Sequence, residues 1–190
     1  MQTTMDALRR LTPDTGARVD SLVDEFRTDF QSEPTLVVSA PGRTELIGNH
    51  TDHNAGTVVA AAVDRDTLGA VRPRADGMIR IKSRGYDRMF QIDLSQLGES
   101  PTEGAGDTEL LIHGVAVGLR DWLHSAGSGT PVERGFEAIV DSRVLPGSGI
   151  SSSAAFENFL TVALFGSNVE HSSEDVPDLD PVTTAQIGRL

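Results

Sequence analysis

The chain has 190 residues, 38% of them apolar, which is enough for one domain with a buried core. It contains no cysteine, so neither a disulfide framework nor a thiolate-held metal is available. Its formal net charge is −12 and Lys82 is its only lysine, a balance that repels nucleic acid and confines any anionic ligand to a place where local donors overcome the overall field.

The opening residues, MQTTMDALRRLTPD, lack the continuous apolar segment of a signal peptide, and no apolar run reaches membrane-spanning length. A cytoplasmic protein without membrane contact is therefore expected. From Met5 to Phe30 the apolar residues Leu8, Leu11, Val19, Leu22, Val23, Phe26 and Phe30 have helical spacing, and Pro13 and Gly16 predict a break into two helices. TLVVSAP, residues 35–41, is a β-branched run that predicts a buried strand ending at Pro41. TVVAAAV, residues 57–63, predicts another, and TLGAVRPR, GMIRIKS and RMFQIDL predict three more. Ile79 and Ile81, then Phe90, Ile92 and Leu94, alternate as half-buried antiparallel strands do. A helix is expected from Thr108 to Leu123, with Leu111, Val115, Leu119 and Trp122 on one face. FEAIVDSRV, residues 136–144, reads as a strand leading into a loop and helix, and Pro181 opens a last helical segment. The element order is α+β rather than strict βαβ alternation.

Two stretches carry more chemistry than turns require. In PGSGISSSAAF, residues 146–156, glycines and serines run into a helix. Glycines let backbone approach an anion, a helix N-terminus presents unpaired N–H groups, and Ser151, Ser152 and Ser153 add hydroxyls for phosphate or a magnesium shell. A Walker loop is excluded because no lysine follows the glycines, a dinucleotide fingerprint lacks its third glycine at Ser152, and a hydrolase elbow around Ser148 meets Pro146 and Ile150 instead of glycines. The plain alternative is a helix capped by Ser151.

The other stretch is APGRTELIGNHTDHNAG, residues 40–56. His50 and His53 could form a metal pair, but zincin spacing and a clustered third ligand are missing. Asn49 begins a glycosylation sequon without a secretory signal to give it meaning. A tight turn is the bland reading. In the remaining reading, Asn49, His50 and Asp52 offer the donors and acceptors that a polyol needs, and Arg43 is a permanent cation able to stabilise a transferring phosphoryl group.

Together the two stretches resemble the galactokinases of the GHMP small-molecule kinases. Residues 40–56 resemble the signature A-P-G-R-V-N-L-I-G-E-H-T-D-Y-N, and residues 146–155 resemble the nucleotide loop P-x-G-x-G-L-S-S-S-A. The resemblance implies an α+β fold with a mixed, largely antiparallel sheet, of the ribosomal protein S5 domain 2-like type. It implies transfer of the γ-phosphate of ATP to the anomeric hydroxyl of galactose, with Mg2+. Arg43 matches the arginine that stabilises the transition state. Asn49, His50, Thr51 and Asp52 match sugar-binding positions. Gly147, Ser148, Gly149, Ile150, Ser151, Ser152 and Ser153 match the phosphate loop, with Ser153 at the magnesium position and Ser83 near a nucleotide contact.

Asn49 departs from the family's Glu, Thr44 and Glu45 from Val-Asn, and His53 from Tyr, which bears on sugar preference more than on reaction type. No M-D-Q segment occurs in these residues, although the family's catalytic aspartate lies in one. Residues 1–190 are accordingly expected to form an N-terminal kinase domain (signature 36–56, phosphate loop 145–156), with the ferredoxin-like C-terminal domain absent and no kinase activity alone. The competing expectations are a non-catalytic sugar- and ATP-binding regulator, slightly favoured by Asn49, and a metal hydrolase built on HTDH.

Overall fold

The computed structural model describes residues 13–48, 57–97, 106–169 and 177–187. Helix α1 (Pro13–Phe30) is followed by strands β1 (Leu36–Ile47), β2 (Val59–Arg74), β3 (Met78–Ser83) and β4 (Met89–Asp93). Helix α2 (Asp107–Ser125), strand β5 (Gly135–Ser142), helix α3 (Ser152–Val169) and the short α4 (Pro181–Ile187) complete the order.

The five strands form one sheet in the order β1-β2-β5-β3-β4. Only β3 and β5 run parallel; the other neighbours are antiparallel. The mixed, mostly antiparallel sheet expected from the sequence is what the chain builds.

Helices cover both faces. On one, Val19, Leu22, Val23 and Phe26 of α1 pack on Val37, Leu68, Ala70 and Ile139. This is the i, i+3, i+4, i+7 stripe of an amphipathic helix meeting the alternate residues of three strands. On the other, α2 and α3 supply Ile112, Val115, Leu119, Phe159, Leu160 and Ala163 against Val38, Val71, Ile79, Ile81, Phe136, Ala138 and Val140. Residues 67–71 of β2 are buried on both faces, which explains why TLGAV does not alternate.

Three local expectations are corrected. Gly16 does not break the first helix: α1 is continuous from Pro13, because glycine costs only about 1 kcal/mol in a helix and the buried stripe of four large apolar side chains outweighs it. Leu8 and Leu11 lie outside the described residues. The two strands expected at 57–63 and 67–74 are one strand of 16 residues. Strand β1 likewise continues past Pro41, with a register shift where Pro41 faces Asp66 but Arg43 faces Ala62. The polar triplet Asp64-Arg65-Asp66, which reads locally as a boundary, is a bulge in a continuing hairpin.

Candidate phosphate loop and signature strand

The turn between β5 and α3 has an unusual backbone. Gly147 and Gly149 have φ of 73° and 76°, and Ser151 has φ of 61°. Glycine adopts this left-handed region freely, whereas Ser151 bears a strain of about 1–2 kcal/mol. The Leu145 carbonyl accepts from the backbone N–H of Ser148 at 3.2 Å, and also from the Ser148 hydroxyl. Ser151 does not act as a side-chain cap: among the described residues its hydroxyl engages no partner, while its carbonyl accepts the first helical bond, from Ala155 N–H, at 3.1 Å. Helix α3 then begins with Ser152 and has no acidic residue in its first turn. In a chain with net charge −12, this leaves one positive helix terminus unneutralised beside an exposed, kinked loop.

The start of this loop borders a cavity of about 390 Å³. Its walls come from four places: the β3–β4 turn (Ser83, Arg84, Gly85, Tyr86, Phe90), the first turns of α2 (Thr108, Leu111), the end of β5 and the residues after it (Val140, Ser142, Val144, Leu145, Pro146), and α3 (Ser152, Ser153, Phe156). The size and the mixture of apolar wall with few hydroxyls suit a small organic ligand. Tyr86 meets Phe90 edge-on, with centroids 5.5 Å apart. Arg88 sits 4.9 Å over the Phe90 ring and pairs with Glu109 at 2.8 Å. The Arg84 guanidinium is held by Glu25 at 2.9 Å and Ser21 at 2.8 Å.

The far end of the loop meets β1. Arg43 N–H donates to the Ile150 carbonyl at 3.1 Å. A Cβ built on Gly42 would lie 2.8 Å from that oxygen and 3.1 Å from Val144 Cγ1, so the approach needs glycine at this position. Arg43 itself is exposed, and among the described residues no hydrogen bond or ion pair engages its guanidinium.

The predicted site residues are thus distributed as follows. Ser83, Ser152 and Ser153 line the cavity. Gly147, Ser148, Gly149, Ile150 and Ser151 lie outside its lining and form the turn that leads from the cavity rim to Arg43. Asn49, His50, Thr51 and Asp52 lie outside the described residues, as does His53 of the metal reading. Sequence reasoning passed over Arg84, Tyr86 and Thr108; the S-R-G-Y turn closing an alternating strand was the available signal for the first two.

Among the described residues no group of three or more His, Asp or Glu could hold a metal by itself. The hydroxyls of Ser152 and Ser153 suit magnesium, which keeps its waters and is held mostly by substrate phosphates rather than by an all-protein cage. Glu157, one turn beyond Ser153, is half-buried, and its desolvation raises its pKa above the ordinary glutamate value. Lys82 contributes nothing to the loop: its ammonium pairs with Glu25 and Asp29 of α1. No described helix is long and apolar enough to cross a membrane.

Comparison with known proteins bears on the fold and the family. The galactokinase galactose-binding signature matches residues 24–73. Galactokinase of Chloroflexus aurantiacus is 40% identical over 141 residues, covering 73% of this chain and 33% of that protein. The structure of Lactococcus lactis galactokinase complexed with galactose superposes with a TM-score of 0.70 at 26% identity, over 90% of this chain and 41% of that one. Methanococcus jannaschii mevalonate kinase shares the fold alone, with a TM-score of 0.61 at 16% identity over 80% of this chain and 44% of its own. The chain spans about a third of the length of the curated relatives it matches. Signature, relatives and fold together show that the chain is similar to galactokinases over about a third of their length.

Proposed function

We propose that this chain is the part of a galactokinase that receives ATP and galactose for transfer of the γ-phosphoryl group to the anomeric hydroxyl. The observation that supports the reading best is the bond from Arg43 N–H to the Ile150 carbonyl, which joins the signature strand to the glycine–serine loop. A donor phosphate on the loop and an acceptor hydroxyl at the signature would then be neighbours.

In this reading the ring system of the nucleotide occupies the cavity against Tyr86, Phe90 and Phe156, near Ser83. The phosphates pass out along the turn from Gly147 to Ser151 and meet the N–H groups at the start of α3. Phosphoryl transfer asks little covalent chemistry of the protein; it asks for positioning and for charge opposite the equatorial oxygens. Arg43 supplies that charge as a permanent cation with no carboxylate partner among the described residues. Asn49, His50, Thr51 and Asp52 hold the sugar hydroxyls. Ser153, with Ser152 beside it, would hold magnesium, which would supply positive charge opposite the phosphates.

Calorimetric titration of galactose and of Mg-ATP into the purified chain, beside a full-length galactokinase, tests the reading. Saturable heat is expected for both ligands, without galactose-dependent ADP release from the chain alone. Absence of saturation by both ligands at millimolar concentration would refute it.

A further inference from the structure

We infer that Arg18, on the helix preceding the signature strand, is a positioning residue for the Arg43–loop junction, an inference that rests on the proposed function. Arg18 is only 8% exposed. Its guanidinium donates through Nη1 to Asp66 Oδ1 at 2.6 Å, through Nε to Asp141 Oδ2 at 2.8 Å and through Nη2 to the Asp141 carbonyl at 3.1 Å. One planar fork therefore holds two strands at once, a task for which lysine's single ammonium is poorly shaped.

One held residue pairs with, and the other belongs to, the backbone immediately before a functional segment. Asp66 faces Pro41 at the register shift that delivers Gly42 and Arg43, and its other carboxylate oxygen accepts from the Ser39 hydroxyl at 2.7 Å. Asp141 stands at the end of β5, just before the chain enters the loop. The two segments are tied again by Arg143 N–H donating to the Asp66 carbonyl at 2.8 Å, and Arg143 pairs with Asp14 in the first turn of α1. From Arg143 the chain passes through Val144, which packs on Gly42, to Ile150, which accepts from Arg43. Without Arg18, Asp66 would keep the Ser39 hydroxyl but Asp66 and Asp141 would lose the cation that ties them together, and the spacing of the two segments would loosen.

The test uses the whole chain with Arg18→Lys, which keeps the charge but not the fork, and Arg27→Lys, an exposed change on the same helix, as control. Amide hydrogen exchange is followed by NMR at Arg43 and Arg143, with Thr35, whose N–H donates to Val71 O, as a reporter remote from the clamp. Expected is exchange at least about tenfold faster at Arg43 and Arg143 in Arg18→Lys, no change at Thr35, and Mg-ATP affinity lowered by at least about threefold. Uniform acceleration at all three amides, no acceleration, or local acceleration with unchanged Mg-ATP affinity each overturns the inference. If Arg18→Lys melts below the assay temperature, Asp141→Asn, which removes the charge that the Arg18 Nε meets, is read by the same criteria. Wild-type chain that binds neither ligand brings down the proposed function and this inference with it, a result visible before any variant is made.

Discussion

Replacing Gly42 by alanine tests the junction directly. The new methyl would sit 2.8 Å from the Ile150 carbonyl oxygen and 3.1 and 3.3 Å from the two Val144 methyls. Recovering ordinary contact of about 3.4 Å requires the loop to retreat by about 0.6 Å. The Arg43–Ile150 bond, 3.1 Å in the wild type, would then stretch to about 3.7 Å, beyond useful hydrogen-bond range. Overpacking costs about 1–3 kcal/mol and a lost backbone bond about 1 kcal/mol. Because the loop is exposed and water can replace part of that bond, we expect a net loss of about 2 kcal/mol. For a chain of this size that lowers Tm by about 4–8 °C. Since the loop and Arg43 have moved apart, Mg-ATP affinity should fall about tenfold. The assay is differential scanning calorimetry with ligand titration, using Gly114→Ala as control, since a Cβ there meets nothing within 4 Å. A Gly42→Ala chain with unchanged Tm and an unchanged Mg-ATP isotherm would show that the contact does not set the loop's position.

Gly69→Ala would place a methyl 2.4 and 2.6 Å from two ring atoms of the fully buried Phe159, a cost of about 2–3 kcal/mol read as a lower urea midpoint at unchanged slope. Phe159 stacks on Phe156 of the cavity wall, with centroids 6.2 Å apart, so the nucleotide isotherm should weaken as well; a wild-type midpoint contradicts the packing argument. Glu157→Gln concerns pH. Burial raises the folded-state pKa of Glu157, so the folded chain holds this proton more tightly than the unfolded chain does. The penalty for ionising it is fully present above the raised pKa and vanishes below the ordinary glutamate value of 4.5. The glutamine variant should therefore melt higher than its parent at pH 7 and lose that advantage as the pH is lowered through the glutamate range. A lower melting temperature at pH 7 would contradict the assignment.

Much of the fold was legible because its signals are local. The stripe of Val19, Leu22, Val23 and Phe26 requires a helix with one buried face, and Ile79, Ile81 and Phe90 alternate because their strands carry helices on that face. The errors share one cause. Asp64-Arg65-Asp66 resembles a turn until Arg18, far along the chain, supplies Asp66 with a counter-charge, and Gly16 resembles a helix stop until the sheet rewards the stripe that follows it. The cavity was half visible. Ser152 and Ser153 lie in a recognisable motif, whereas Arg84, Tyr86 and Thr108 join them only because parallel β3–β5 pairing and the packing of α2 bring three distant segments to one rim.

Residue order alone dictated where backbone is free to turn left-handed, as at Gly147 and Gly149, and which faces must be buried, since both follow from the chemistry of single residues and their neighbours. That Arg43 stands beside Ile150 was decided elsewhere. It depends on β1 pairing with β2, on β2 pairing with β5, and on the missing side chain of Gly42 letting two backbones touch. A contact between main-chain atoms distant in sequence leaves no pattern along the chain, so only the folded sheet could bring it about.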